Sequence, residues 1–218
     1  MDKKEKIITT AKRVFNEKSY DAVTLQEIAE SMGMSRGNLA YHFKDKDQIL
    51  QAIMDEMWAK ILQDRSKSRS FPSFENLHHE VQMYQRYQVE YAFIFLNSQL
   101  FSHPIVQEKF QIMTEQTISA NKATLLYSIQ MGNMHPEPIP GVYSNIAFIT
   151  WMLTFFWSAQ QMIRGEKSSE DAEKMIWSLL LPYFTEKGKE RFIKFYGDAY
   201  LETIGEPIQM SNFNHHSF

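Results

Sequence analysis

The chain has no cysteine among its 218 residues, and this absence removes several classes of function at once. Disulfide-stapled folds, thiolate zinc sites and enzymes with a cysteine nucleophile are all excluded. Glycine and proline are also scarce, at eight and seven residues, whereas an all-β chain needs many tight turns. The lack of cysteine suits a reducing compartment, and we expect a cytoplasmic protein.

A strong net charge is missing too, because 23 basic residues face 26 acidic ones and leave a formal charge of −3. Binding to nucleic acid would therefore have to come from a local basic patch. The first fifteen residues are charged from Asp2 onward and have no apolar core, so we expect no signal peptide.

One uncharged run, from Pro138 to Ile163, is long enough to span a bilayer. It contains polar side chains such as Asn145, Thr150 and Gln160, and no basic cluster flanks one side of it. We interpret the run as a buried helix and predict no membrane partner.

Apolar residues recur at helical spacing along the whole chain, which predicts an all-α fold. Asp2 with Glu5, and Thr24 with Glu27, have the spacing of capping boxes at the starts of two helices. Ile8, Ala11, Val14 and Phe15 are expected on the inner face of the first helix. We predict a DNA-binding domain over residues 1–47 and a larger helical ligand-binding and dimerisation domain over residues 48–218.

Five further helices are expected after a fourth one that ends near Gln63. A polar, basic stretch over residues 64–73 is the candidate junction between domains, and the tail after residue 207 is expected to fray. The predicted helices cover residues 73–95, 104–131, 142–163, 169–184 and 189–204.

The segment from Thr24 to Lys46 has the pattern of a helix-turn-helix, two short helices joined by a tight turn at Gly33. Ser35 is placed to cap the second helix of the pair. Arg36 can make a bidentate contact with guanine, and Asn38 can pair with adenine. Hydroxyl, imidazole and ammonium groups around them can hold phosphates. The candidate DNA-binding residues are Thr24, Ser35, Arg36, Gly37, Asn38, Tyr41, His42, Lys44 and Lys46.

These residues resemble the tetracycline-repressor (TetR) family of bacterial one-component regulators. The resemblance rests on Thr24, on Ile28-Ala29, and on the block from Gly33 to Lys46, and it covers residues 1 to about 50 closely. One departure is Ala40, where many relatives carry an aromatic residue. The resemblance implies a homodimeric regulator, usually a repressor, that a small molecule releases from a double-stranded DNA operator.

No catalytic or metal-binding pattern accompanies this motif. The pairs His78-His79 and His215-His216 are adjacent in sequence, so on a helix their side chains point about 100° apart and do not form a natural chelate. A metalloprotease motif, a glycine-rich phosphate loop and a serine nucleophile elbow are absent from the sequence. We therefore predict no enzyme, no cofactor and no metal.

The helix over residues 142–163 is apolar all round, so it must be buried on more than one side. We predict a two-fold homodimer in which this helix and the helix over 169–184 from each chain form a four-helix interface. Such a dimer would present its two DNA-binding domains to successive major grooves of a pseudo-palindromic operator.

An apolar stripe from Leu77 to Phe95 is interrupted by Gln88, and tyrosine hydroxyls fall in the same apolar region. A mostly apolar pocket with a few polar anchors is typical of small-molecule sites, so we predict a small hydrophobic effector there. The candidate ligand-binding residues are Tyr84, Tyr87, Gln88, Tyr91, Phe95, His103, Tyr127 and Trp151.

Two alternatives remain open at this point. One is a helical carrier of an apolar ligand in which the helix-turn-helix is vestigial. The other is a membrane-attached protein that uses the segment over residues 138–163.

Overall fold

The structure, a computed structural model, describes residues 2–67, 73–164 and 172–207. Over these residues it contains helices and no strand, which confirms the predicted all-α fold. The eleven α-helices within the described ranges are α1 (Lys3–Lys18), α2 (Leu25–Ser31), α3 (Arg36–His42), α4 (Lys46–Lys67), α5 (Phe74–Glu90), α6 (Ala92–Phe95), α7 (Pro104–Gln130), α8 (Val142–Arg164), α9 (Ala172–Leu180), α10 (Glu186–Tyr196) and α11 (Asp198–Ile204).

The chain forms two compact units. The first consists of Met1–Lys67 with Arg86–Ile112, and the second of Ser68–Gln85 with Met113–Phe218. The predicted functional boundary after residue 47 stays a prediction. The predicted junction over 64–73 lies partly outside the described residues, as does the start of the helix predicted over 169–184. The tail after residue 207, with His215 and His216, lies wholly outside them.

Local caps fix the first three helices as predicted. Asp2 Oδ1 accepts a hydrogen bond from the Glu5 backbone N–H at 2.8 Å, and the Thr24–Glu27 capping box is also formed. Gly33 has a φ of +64°, the left-handed conformation that glycine adopts most readily after a helix. Ile7, rather than the expected Ile8, is buried on the inner face of α1.

The core of the first unit combines α1, α3 and α4. Phe15 of α1 is fully buried and packs against Tyr20 and Phe93, each with ring centroids 5.2 Å away. Leu39 of α3 and Ile53 of α4 are fully buried as well. This core orients α3 so that its opposite face is left at the surface.

The core of the second unit is rich in aromatic rings. Phe192 is fully buried, with ring centroids 5.2 Å from Trp177 and 4.7 Å from Tyr196. Phe74 packs edge-on against both Trp177 and Phe192. Glu173, a buried carboxylate in the first turn of α9, accepts hydrogen bonds from the Trp177 indole and the Tyr196 hydroxyl.

Two helices predicted as continuous are interrupted. The stretch over 189–204 breaks at Gly197, whose φ of +86° ends α10. The stretch over 73–95 breaks at Tyr91, between α5 and α6. There the Asn16 amide donates to the Glu90 carbonyl at 3.0 Å and accepts from the Phe93 N–H at 2.9 Å. The Asn16 side chain thus replaces hydrogen bonds that a continuous helix would have made.

Among the described residues, α8 is the helix that is long and apolar enough to cross a membrane. The buried core helix of a soluble protein can have the same length and composition. Tyr143, Ala147 and Phe155 on this helix are buried, as are four further residues. Phe148 and Met152 are 46 % and 43 % exposed. The helix therefore has one buried face and one apolar face at the surface.

Candidate nucleic-acid interface

The N-terminus of α3 is built by its cap. Ser35 Oγ accepts a hydrogen bond from the Asn38 backbone N–H at 3.2 Å, which starts the helix at Arg36. Leu39 and Phe43 are buried in the first unit. Because these two residues hold one face of α3 inward, the opposite face points outward.

The outward face of α3 carries the side chains predicted to contact bases. Arg36, Gly37, Asn38 and Tyr41 are exposed, and Tyr41 reaches 86 %. A Cβ added at Gly37 would meet no atom within 4 Å, so the backbone there is open to an approaching surface. Asn38 Oδ1 lies 3.5 Å from the Lys3 ammonium, a long contact that leaves the amide available. The structure therefore brings these four predicted residues together at the surface.

Thr24 is already engaged in its capping box. Its hydroxyl accepts from the Glu27 N–H at 3.3 Å and donates to the Glu27 carboxylate at 3.1 Å. The Thr24 backbone N–H, helped by the Lys18 ammonium and the Thr24 hydroxyl, holds the pKa of Glu27 below its usual range. A phosphate at this helix end would meet that carboxylate, so the predicted Thr24 contact stays a prediction.

Lys46 is also engaged inside the unit. Its ammonium donates to the Tyr20 carbonyl at 2.8 Å and to the Val23 carbonyl at 3.1 Å. It lies 4.2 Å from the centroid of the Tyr20 ring, a cation–π distance. Lys46 thus fastens the turn that leads into α2, and its predicted phosphate contact stays a prediction.

Lys44 and His42 complete the predicted set. Lys44 is exposed, and its backbone N–H donates to the Gln48 side chain at 2.9 Å. His42 is half-buried, with its ring edge-on to Tyr41 at 5.3 Å between centroids. Lys44 is therefore better placed than Lys46 to reach a phosphate.

Sequence reasoning missed an ion-pair network that lies behind these helices in the first unit. Lys12 pairs with Glu56 at 3.2 Å and with Glu90 at 2.5 Å, and Lys60 pairs with the same two carboxylates at 2.8 Å each. Burial alone would raise the pKa of Glu56 and Glu90, but the lysine contacts outweigh it and both pKa values fall below their usual range. The four residues of this network come from α1, α4 and α5, so no pattern among neighbouring residues of the sequence predicts it.

Three of the predicted ligand-binding tyrosines use their hydroxyls within their own unit. Tyr91 donates to Glu56 at 3.0 Å, Tyr87 donates to Asp64 at 2.8 Å, and Tyr84 lies 3.3 Å from the Thr117 hydroxyl. Burial, together with the neighbouring carboxylates, raises the pKa of Tyr87 and Tyr91. These three hydroxyls therefore contact polar groups of the folded chain itself.

The remaining predicted ligand residues are scattered. Gln88 and Phe95 are buried in the first unit, and His103 there lies 3.5 Å from an Asp47 oxygen. In the second unit Tyr127 is half-buried, and Trp151 stacks on Phe155 at 5.7 Å between centroids. The ligand role of all eight stays a prediction.

Comparison with known proteins agrees with this geometry. Residues 7–53 match the profile described as "Bacterial regulatory proteins, tetR family", and residues 59–192 match a TetR profile described as "Bacterial transcriptional repressor". The chain belongs to the TetR family. The predicted resemblance is thereby confirmed, and it extends well beyond the first fifty residues.

Individual relatives match this chain to different extents. The uncharacterised helix-turn-helix regulator YerO of Bacillus subtilis is 47 % identical over 49 residues, which is 22 % of this chain and 17 % of YerO. A TetR-family regulator from Marinobacter aquaeolei VT8 shares 21 % identity with a TM-score of 0.76, over 92 % of this chain and 99 % of that one. AibR, solved with isovaleryl coenzyme A and operator DNA, shares 20 % identity with a TM-score of 0.62, over 84 % and 100 %. At these identities the two structures establish a shared fold.

Proposed function

We propose that the protein is a ligand-responsive transcriptional repressor that binds a pseudo-palindromic operator as a homodimer and is released by a small hydrophobic effector. The observation that carries this proposal is the outward face of α3, a helix capped by Ser35, where Arg36, Asn38 and Tyr41 are exposed. Membership of the TetR family supports the same role.

The proposed reading of DNA follows from side-chain chemistry. The Arg36 guanidinium can donate two hydrogen bonds to guanine O6 and N7, and the Asn38 amide can pair with adenine N6 and N7. Lys44, Tyr41 and the exposed lysines at the start of α1 would hold phosphates on either side. Gly37 lets the helix backbone come close to the groove.

Dimerisation is proposed through α8 and α9. Phe148, Ile149 and Met152 form an apolar stripe on α8 that is 38–46 % exposed in the single chain. Ala147 and Thr150 face the other way and are buried. A stripe of this kind is typical of an interface core. A two-fold homodimer would bind half-sites about one helical turn of DNA apart, roughly 34 Å.

Release by an effector is proposed as a population shift. A ligand that binds better when the two DNA-binding domains are too far apart for the operator would lower the affinity of the dimer for that operator. AibR supports the idea that a protein of this fold can hold an acyl coenzyme A and operator DNA. We place the repressor in the cytoplasm, where it would meet DNA.

The test is selection of duplexes from a random-sequence library by the wild-type protein. We expect an enriched pseudo-palindrome whose half-sites lie about one helical turn apart. Phe148→Asp should keep its helical content and lose that spacing, because a charge in the stripe opposes dimerisation. Failure to enrich any duplex would favour the helical carrier with a vestigial helix-turn-helix.

A further inference from the structure

The second unit contains a cavity of about 520 Å³ that is lined by the start of α5 and by α7, α8, α9 and α10. This volume is within the range of small-molecule sites, about 300–1,000 Å³. Its apolar wall includes Leu77, Leu125, Trp177, Leu180 and Phe184. None of the eight ligand-binding residues predicted from the sequence lines it.

One wall of the cavity includes Asn133 and Met134, which lie in a loop hydrogen-bonded to the segment that leads into α10. The His135 N–H donates to the Tyr183 carbonyl at 2.9 Å, and the Thr185 N–H donates to the Asn133 carbonyl at 3.0 Å. A Cβ at Gly188 would lie 2.0 Å from that same Asn133 carbonyl oxygen. Glycine at position 188 therefore permits the close approach that fixes Asn133 at the cavity.

A second wall is held by the buried carboxylate of α9. The Trp177 indole N–H donates to Glu173 at 3.1 Å, and His78 Nδ1 lies 2.6 Å from the other oxygen of that carboxylate. Trp177 is 3 % exposed and is packed edge-on against Phe74. The indole ring is thus a fixed apolar surface of the cavity.

Three of the polar residues that line the cavity, Asn133, Thr124 and Ser128, offer hydrogen-bond acceptors. Asn133 Oδ1 is buried, and in the described part of the chain it has no hydrogen-bond partner. The Thr124 and Ser128 hydroxyls already donate to the carbonyls of Ala120 and Thr124, four residues before them, so they can still accept. A buried acceptor left without a donor is unfavourable, so Asn133 Oδ1 is available to a donor on a bound molecule.

The charged residues that line the cavity balance one another. Glu75 and Glu80 contribute two carboxylates, and Arg191 and Lys194 contribute two cations. Glu75, Arg191 and Lys194 are exposed and Glu80 is half-buried, so none of these charges lies fully inside. An apolar interior without a buried counter-charge favours an uncharged ligand.

From these observations we propose that the cavity binds an uncharged, largely apolar molecule that directs an N–H or O–H donor to Asn133 Oδ1. This rests on the proposed function and deepens it by naming the class of effector. Ala147 and Thr150 of α8 line the cavity, while Phe148, Ile149 and Met152 of the same helix form the proposed dimer stripe. A ligand in the cavity would therefore contact the helix through which dimerisation is proposed.

The test uses N-phenyl-1-naphthylamine, an uncharged apolar dye with one N–H donor, and 8-anilinonaphthalene-1-sulfonate, its sulfonated counterpart. We expect the uncharged dye to bind the wild-type protein at one site per chain, with at least tenfold higher affinity than the sulfonate. Energy transfer from tryptophan to the dye should fall most in Trp177→Phe, because Trp177 lines the cavity. Equal affinity for the two dyes would overturn the inferred ligand class.

Variants locate the site. Asn133→Ala should weaken binding of the uncharged dye by about three- to tenfold, the usual contribution of one hydrogen bond. Thr124→Trp should abolish binding by filling the cavity. Asn145→Ala, at an exposed position of α8, and Tyr91→Phe, at a predicted ligand residue of the first unit, should bind as the wild type does. If Asn133→Ala and Thr124→Trp both bind the dye normally, the cavity is not the site.

DNA binding by the same proteins without dye separates this inference from the proposed function. Asn133→Ala should retain wild-type affinity for the selected duplex, because Asn133 belongs to the second unit. A protein that binds DNA but not the uncharged dye would overturn the cavity inference alone. A protein that binds the dye but no DNA would overturn the proposed repressor.

Discussion

The two compact units differ in the hydrogen-bond partners of their buried polar groups. In the first, the Tyr87 and Tyr91 hydroxyls donate to carboxylates. Tyr91, Glu56, Glu90, Lys12 and Lys60 form one connected network there. In the second, aromatic rings surround a cavity in which the Asn133 amide oxygen lacks a partner among the described residues. A buried hydroxyl in an apolar stripe therefore does not by itself indicate a ligand site.

Phe192→Ala should be the most damaging change in the comparison. Phe192 is fully buried at the centre of the aromatic cluster, and removing such a ring typically costs about 3–5 kcal/mol. Urea unfolding followed by far-UV circular dichroism measures the loss. Phe195→Ala, on the same helix at 45 % exposure, is the matched control and should cost far less. Equal losses would mean that the cluster does not support the second unit.

The same substitution, glycine to alanine, can be made in one helix of each unit. Gly188 lies in α10 of the second unit, and Gly37 lies in α3 of the first. At position 188 the new methyl group would collide with the Asn133 carbonyl, so we expect a loss of about 1–3 kcal/mol, as in overpacked cores. At position 37 nothing lies within 4 Å, so the helix should gain about 0.5–1 kcal/mol. Thermal unfolding of both variants checks the signs, and a stabilised Gly188→Ala would contradict the close approach of α10 to the loop.

Acid should weaken the network of the first unit. Glu56 and Glu90 have pKa values lowered from an ordinary 4.5, so their stabilisation is complete above that pH and is lost as the pH falls through the lowered values. Because the Glu56 and Glu90 side chains are both about one-third exposed, we expect only about 1 kcal/mol from Glu90. The difference in urea midpoint between wild type and Glu90→Gln should therefore shrink between pH 5 and pH 3.

The control for that experiment is Glu17→Gln, which breaks the exposed Arg13–Glu17 pair on α1. Pairs of this kind contribute about 0.3–0.5 kcal/mol, so its difference from wild type should stay small at every pH. A Glu90→Gln difference that is constant with pH would show that the network does not stabilise the first unit by its charge.

Features set by neighbouring residues could be predicted from the sequence. The capping boxes of α1 and α2, the left-handed turn at Gly33 and the start of α3 after Ser35 all depend on residues within a few positions of one another. The same local logic identified the exposed face of α3, because Leu39 and Phe43 mark its buried side.

Features set by residues far apart in the chain could not be predicted from the sequence. The break at Tyr91 depends on Asn16, more than seventy residues earlier, and Lys46 is held by carbonyls more than twenty residues earlier. The cavity combines residues from five helices with Asn133, which lies in a segment whose glycines and prolines predict only a loop. Periodicity reports which face of a helix is buried, and it does not report whether that face meets a neighbour or an empty space.

The most direct test of the account is the specificity of α3, measured by fluorescence anisotropy with the selected duplex and a scrambled one. Arg36→Ala should lower the ratio of the two affinities by about five- to 150-fold, since one bidentate base contact gives about 1–3 kcal/mol of discrimination. Lys44→Ala should weaken both duplexes alike and reduce the salt slope by about one. Lys189→Ala, an exposed charge in the second unit, should change neither. An unchanged ratio in Arg36→Ala would contradict the assignment of α3 as the helix that reads DNA.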